Sequence, residues 1–114
     1  MSERISESEF YQHAEQALGE LERGFGALAE ERDIDVKLEG GVLSIDFDEG
    51  EPGKFILSPN SSVRQVWLSA RMSSYKFDWA SEQQQFVLSG TEESLKQVLI
   101  RLTQEQLSDS AIVL

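Results

Sequence analysis

The sequence contains no cysteine and a single histidine, His13. The first absence excludes a thiolate nucleophile, a disulfide, and any cluster or zinc site held through sulfur. The second leaves no partner set for a histidine-based catalytic triad. Nor does the chain carry a G-x-S-x-G, H-E-x-x-H, G-x-G-x-x-G or Walker-type loop, so no familiar enzyme class is indicated and a non-enzymatic role is expected. Basic residues are scarce: 10 Lys and Arg face 21 Asp and Glu, a formal net charge of −11 with a pI near 4.4. Such a surface repels phosphate backbones and anionic lipids, which argues against nucleic-acid or membrane partners. No apolar run approaches the ~20 residues of a membrane span. The N-terminal Met-Ser-Glu-Arg-Ile-Ser-Glu lacks the basic and apolar regions of a signal peptide, so a cytoplasmic location is expected.

What is present is enough for one packed core. The chain has 114 residues with 39% hydrophobic and 27% charged, which fits one domain over 1–114. From Ser6 to about Glu31, Phe10, Ala14, Ala17, Leu18, Leu21, Phe25 and Leu28 recur at spacings of three and four, the stripe of one helix. Ser6 with Glu9 forms a capping-box pattern at its start. Gly19, Gly24 and Gly26 weaken its second half, which therefore depends on packing of Phe25 and Leu28.

After Arg32 the pattern alternates. Ile34, Val36 and Leu38 oppose Asp33, Asp35, Lys37 and Glu39, and Val42 to Asp48 alternates again beyond Gly40-Gly41. Two antiparallel strands joined by a two-residue turn follow. Further strands are expected at Lys54–Leu57, Val63–Ser69, Tyr75–Trp79 and Gln85–Leu88, with Pro59-Asn60-Ser61-Ser62 breaking the chain between the first two. Thr91 is expected to cap a second helix whose first turn holds Glu92 and Glu93, with Leu95, Val98, Leu99 and Leu102 as its stripe. The fold class that results is α+β: a two-layer α-β sandwich, an antiparallel sheet of about six strands, with the N- and C-terminal helices packed on one face and the other face left to solvent. Ile112 and Leu114 near the C-terminus either pack on the helices or hang free.

The run Asp33-Ile34-Asp35, the hairpin Gly40-Gly41-Val42-Leu43, the segment Gln65-Val66-Trp67-Leu68-Ser69 and the later Phe77-Asp78-Trp79 together resemble the frataxin family, its bacterial branch in particular. The resemblance runs from about Ser8 through Leu102. It implies two helices on an antiparallel sheet, low-affinity iron binding (Fe²⁺ or Fe³⁺) at an acidic ridge, and binding to the cysteine desulfurase and scaffold protein that assemble iron–sulfur clusters, the chain itself being a monomer. Arg23, Gly26, Ala27 and Ala29 stand where the family usually has acids, Phe86 where many members have a third tryptophan, and Arg71-Met72-Ser73-Ser74 where glycines are common. A weak ferroxidase or iron-storage role, or an acidic interaction module without iron, are the alternatives.

On this reading Glu15, Glu22, Glu30, Glu31, Asp33, Asp35, Asp46 and Asp48 are the candidate iron ligands, a patch of hard oxygen donors for which Ca²⁺ and Mn²⁺ would compete. Trp67 is the candidate partner anchor. It shares a strand face with Val63, Gln65 and Ser69, so it meets water if Val66 and Leu68 face the helices. Gln65, Ser69 and Arg71 flank it as polar contacts. Trp79 is expected to pack in the core or at its rim, and His13 to be a surface residue.

Overall fold

The computed structural model describes residues 5–49 and 52–114. A first helix, α1 (Glu7–Leu28), leads into six strands: β1 (Ile34–Glu39), β2 (Val42–Phe47), β3 (Gly53–Asn60), β4 (Gln65–Ala70), β5 (Ser73–Ala80) and β6 (Gln85–Leu88). A second helix, α2 (Leu95–Leu107), follows. The strands lie in chain order and every neighbouring pair is antiparallel, a plain meander.

Local chemistry explains where α1 begins. Ser6 accepts a hydrogen bond from the Glu9 amide while the Glu9 carboxylate accepts one from the Ser6 amide, so two otherwise unsatisfied donors are met at once. Its buried stripe is Phe10, Ala14, Leu18, Leu21 and Phe25, the spacing read from the sequence. The helix stops at Leu28 rather than near Glu31. Glu30 to Asp33 instead form turns, with the Glu31 and Arg32 amides both bonded to the Leu28 carbonyl.

Strand parity divides the sheet. Ile34, Leu43, Ile45, Phe47, Phe55, Leu57, Val66, Leu68 and Phe77 all turn to one side, where they join the α1 and α2 stripes in a single apolar cluster. The residues between them face water. At roughly 1.5–3 kcal/mol for each large side chain buried, this common core holds both helices on the same side of the sheet. Ile112 is buried and Leu114 lies within 3.3 Å of where a Gly24 Cβ would stand, so the C-terminal tail packs against α1 rather than hanging free.

Three expectations change. The Pro59 segment does not break the chain: β3 continues through Pro59 to Asn60, and the turn lies at residues 61–64. The register explains why a proline is tolerated. The two-residue turn at Gly40-Gly41 makes Glu39 and Val42 a hydrogen-bonded pair, so alternation points the Pro59 nitrogen toward the β2 side, where pairing has already stopped at Leu57. No ladder bond is lost. For the same reason β4 begins at Gln65, leaving Val63 in the turn.

The third change is the cap of α2, which is Ser94 and not Thr91. Glu93 and Ser94 are still held to β6, through the Leu88 amide on the Glu93 carbonyl and a bridge from Ser94 to Val87, so no helix can start before Ser94. Ser94 with Gln97 then closes a capping box. Thr91 closes a local turn instead, and Glu93 pairs with Arg101.

Candidate functional site

Two separate surfaces carry the candidate residues. The first is acidic and lies at the β1 edge. β1 and β2 turn Asp35 and Asp46 outward on the same rung, and the Asp48 amide donates to the Asp33 carbonyl at 3.1 Å just beyond it. Four aspartates therefore gather at one corner. Like charges set directly across an antiparallel pair repel, which makes this corner favourable to a cation. Lys54, opposite Asp46 on β3, supplies part of that charge at 3.8 Å. Glu30 and Glu31 are exposed in the turn after α1.

Glu15 and Glu22 lie on α1 itself, the first exposed and the second half-buried. With a rise of ~1.5 Å per residue, Glu15 sits about 20 Å along the axis from the helix end, too far to share an ion with the aspartate corner. The eight carboxylates thus form a dispersed field and not one centre. Among the described residues no group of three or more His, Asp or Glu side chains is placed to hold a metal ion.

Arg32 is the residue that sequence reading passed over. Its guanidinium reaches Glu49 through Nε at 2.9 Å and 2.8 Å, and Asp109 through Nη1 at 2.8 Å. The Asp33 amide adds a bond to Glu49 at 3.3 Å. One cation therefore ties the α1–β1 junction, the end of β2 and the tail after α2 together. The Arg32 guanidinium holds the Glu49 carboxyl below the usual carboxylate range, and Glu49 in turn raises Arg32. The available signal was a lone base inside Glu30-Glu31-Arg32-Asp33.

The second surface is the open side of the sheet. Trp67, on β4, is 38% exposed and projects between Ser58 of β3 and Lys76 of β5. Its Nε1 donates to the Gln65 amide oxygen at 3.0 Å, Gln65 donates on to Asp78 at 3.0 Å, and Ser89 donates to Asp78 at 2.6 Å. Lys76 holds its ammonium 5.0 Å from the Trp67 ring centroid. This chain fixes the indole edge and leaves a face available. Beside it Ile56, Ser69 and Ser74 share one outward rung. A shallow depression of about 260 Å³ between Ile56, Trp67 and Tyr75 completes the surface.

Of the expected polar flank, Gln65 and Ser69 lie beside Trp67 as read. Arg71 is used differently: its guanidinium donates to Gln106 at 2.8 Å and approaches Glu105 at 3.8 Å, both on α2. Trp79, two residues past Phe77 on the covered side, is packed as expected. It meets Phe86 edge-on at 5.2 Å. His13 is not a free surface residue; it is half-buried and lies flat on Trp79, with ring centroids 3.7 Å apart. One position from the Ala14 stripe on α1 places it over that ring.

A family model described as a frataxin-like domain matches residues 3–109. Among curated relatives, the iron-sulfur cluster assembly protein CyaY of Azotobacter vinelandii is 31% identical over 107 residues, covering 92% of each chain. The proteins of the same name from Stutzerimonas stutzeri and Ectopseudomonas mendocina are 38% and 35% identical over 74 residues, which is 65% of this chain and 66% of each relative. In three dimensions the frataxin from Psychromonas ingrahamii superposes with a TM-score of 0.79 at 20% identity, covering 92% of this chain and 94% of that one.

Proposed function

The chain belongs to the frataxin-like family, and from that premise we propose that it is a non-enzymatic accessory of iron–sulfur cluster assembly, acting through two docking surfaces. Relatives at 31–38% identity are named as iron-sulfur cluster assembly proteins, which supports the cluster-assembly part of this reading. The observation that carries the reading is the separation of a carboxylate edge from an exposed tryptophan on the open sheet. The acidic edge meets a basic surface on a cysteine desulfurase, steered by the net charge of −11. Trp67 anchors against the scaffold protein, offering large apolar area with few rotamers to freeze.

Iron is cargo or effector in this scheme. Exposed aspartates are hard oxygen donors of the kind that Fe²⁺ accepts, and Asp33, Asp35, Asp46 and Asp48 with Glu30 and Glu31 are the groups that would hold it. Because they form an open patch, binding is weak and Mn²⁺ or Ca²⁺ competes. Occupancy lowers the negative charge of the edge and so weakens its attraction for a basic partner.

The test has two arms. Mn²⁺ titration followed by amide NMR should broaden Asp33 and Asp35 before Gln65, Trp67 or Ser69; uniform broadening, or none below millimolar metal, removes iron from the reading. Capture by an immobilised bacterial cysteine desulfurase should fade as salt rises, since charges separated by more than ~8 Å are screened at physiological ionic strength. The combined Asp33→Lys and Asp35→Lys variant should reproduce the high-salt result at low salt. Unchanged capture by that variant would mean that another surface is the dock.

A further inference from the structure

The two edges of the sheet are finished differently. At β6 the outer edge is met by the chain itself: the Leu88 amide donates to the Glu93 carbonyl at 2.8 Å and Val87 bridges Ser94. At β1 nothing among the described residues takes that place. The Gly40-Gly41 turn makes Glu39 and Val42 a hydrogen-bonded pair, so Glu39, Lys37 and Asp35 direct their amides and carbonyls to β2. Alternation then directs those of Val36 and Leu38 outward, and no hydrogen bond among the described residues reaches them. Only the Ile34 amide, at the start of the strand, is satisfied locally, by the Arg32 carbonyl at 3.0 Å.

An open edge of this kind is a template for another strand. The side chains select which strand. Val36 and Leu38 pack on the core yet stay half-buried, so apolar surface remains beside them on the covered side. Asp35, Lys37 and Glu39 are exposed on the other side, and Asp46 stands across from Asp35. Asp33 is exposed just before the strand. A second copy of this chain fits badly. Pairing β1 with itself would gather the acids of both copies along one seam, with one Lys37 from each to offset them, between two chains of −11. A strand carrying positive charge meets the same edge with attraction.

We propose that the outer edge of β1 is a strand-addition site for one extended basic segment, which pairs antiparallel with Val36 and Leu38 through its backbone. Apolar residues of the segment lie beside Val36 and Leu38, and Lys or Arg stands across from Asp35 and Glu39, with a neutral or acidic residue across from Lys37. Backbone bonds supply affinity that any sequence could share. The alternation of apolar and basic residues supplies the selection. The inference rests on the acidic-edge reading above and adds the mode of contact: the basic partner meets this edge as a strand.

The test uses the whole chain and a short blocked peptide containing the run Lys-Val-Thr-Val-Lys, with amide hydrogen exchange followed by NMR. Binding at low salt should slow exchange at Val36 and Leu38 by about tenfold or more, whereas Asp35 and Lys37, already paired with β2, should change little. Methylating the two valine nitrogens of the peptide, which face β1, should abolish binding. Methylating the threonine nitrogen, which faces away, should leave binding intact. In the chain, Val36→Pro removes an outward N–H and no bond to β2, so it should keep the cooperative melt and weaken peptide binding by about tenfold or more. Peptide binding that leaves Val36 and Leu38 unprotected, or that tolerates methylation of the valines, would overturn strand addition while leaving a charge-based dock at the acidic edge standing. No binding at low salt, or equal binding of the peptide with Glu in place of both Lys, would overturn it too. Protection of Val36 and Leu38 without peptide, rising with protein concentration, would make a second copy the occupant and overturn the basic segment. The acidic-edge reading fails separately, when desulfurase capture ignores the Asp33 and Asp35 variant.

Discussion

Trp67 and Trp79 stand on adjacent strands of one sheet and do opposite things. Trp67 lies between the buried Val66 and Leu68, so alternation turns it to the open side. Trp79 follows Phe77 by two, so the same alternation turns it toward α1, where His13 lies on one face and Phe86 meets it edge-on. The residue type is the same and the composition of the neighbourhood is similar. The difference is a single unit of strand parity. The covered side of the sheet packs its tryptophan against the core, while the open side leaves one exposed to water.

The strongest way to break this contrast is to remove each indole. Trp79→Ala should destabilise the fold by about 3 kcal/mol, as expected for a large packed aromatic, and lower Tm on the order of 10 °C in a melt followed by circular dichroism. Trp67→Ala should change stability by less than about 1 kcal/mol. Its effect should appear in scaffold binding instead, as a loss of about 2 kcal/mol, or roughly thirtyfold in Kd. Reversal of the two results would mean that the faces of the sheet are exchanged.

A subtler test concerns the seam of the covered side. Arg32 joins the α1–β1 junction to Glu49 and Asp109 through charged pairs, whereas the open-face network from Trp67 through Gln65 and Asp78 to Ser89 has no cation within it. The Glu49 carboxyl is lowered from 4.5, chiefly by its hydrogen bonds from Arg32. A depressed carboxylate stabilises the fold above its unfolded value and ceases to do so as pH falls through its folded value. Glu49→Gln should therefore melt earlier than the parent at pH 7, and the two curves should converge only as pH falls below the ordinary carboxylate range, where the parent's depressed Glu49 is protonated. A constant gap down to acid pH would assign the effect to packing rather than charge.

The smallest expected effects lie at the companions of the two rings. Lys76→Ala should weaken scaffold binding by about 0.5–1 kcal/mol through loss of the cation near Trp67, with Tm unchanged. His13→Ala should instead lower Tm by a few degrees and leave binding alone, since stacked rings are worth ~0.5–1.5 kcal/mol beyond their buried area. Equal behaviour of the two variants in both measurements would erase the distinction between the faces.

Periodicity found the apolar stripes of both helices and the alternation of β1, β2 and β4, because a spacing of three and four or of two follows from the backbone geometry of each element, while turn residues marked off the other strands. It also separated Trp67 from Trp79 and brought Asp46 and Asp48 across from Asp33 and Asp35, since a two-residue glycine turn allows only one register. Where long-range pairing competes with a local signal, the local signal is insufficient. Pro59 reads as a break, yet stands in β3 because its nitrogen points past the end of β2. Thr91 reads as a helix cap, yet the pairing of Glu93 with Leu88 delays α2 to Ser94. The partners of Arg32 are separated from it by 17 and 77 residues, and no local pattern carries such distances. Which face each side chain takes was thus decided by the order of residues along the chain. Which groups meet across the chain, from the Arg32 clasp to the stacking of His13 on Trp79, was decided only when the strands paired and the helices closed on them.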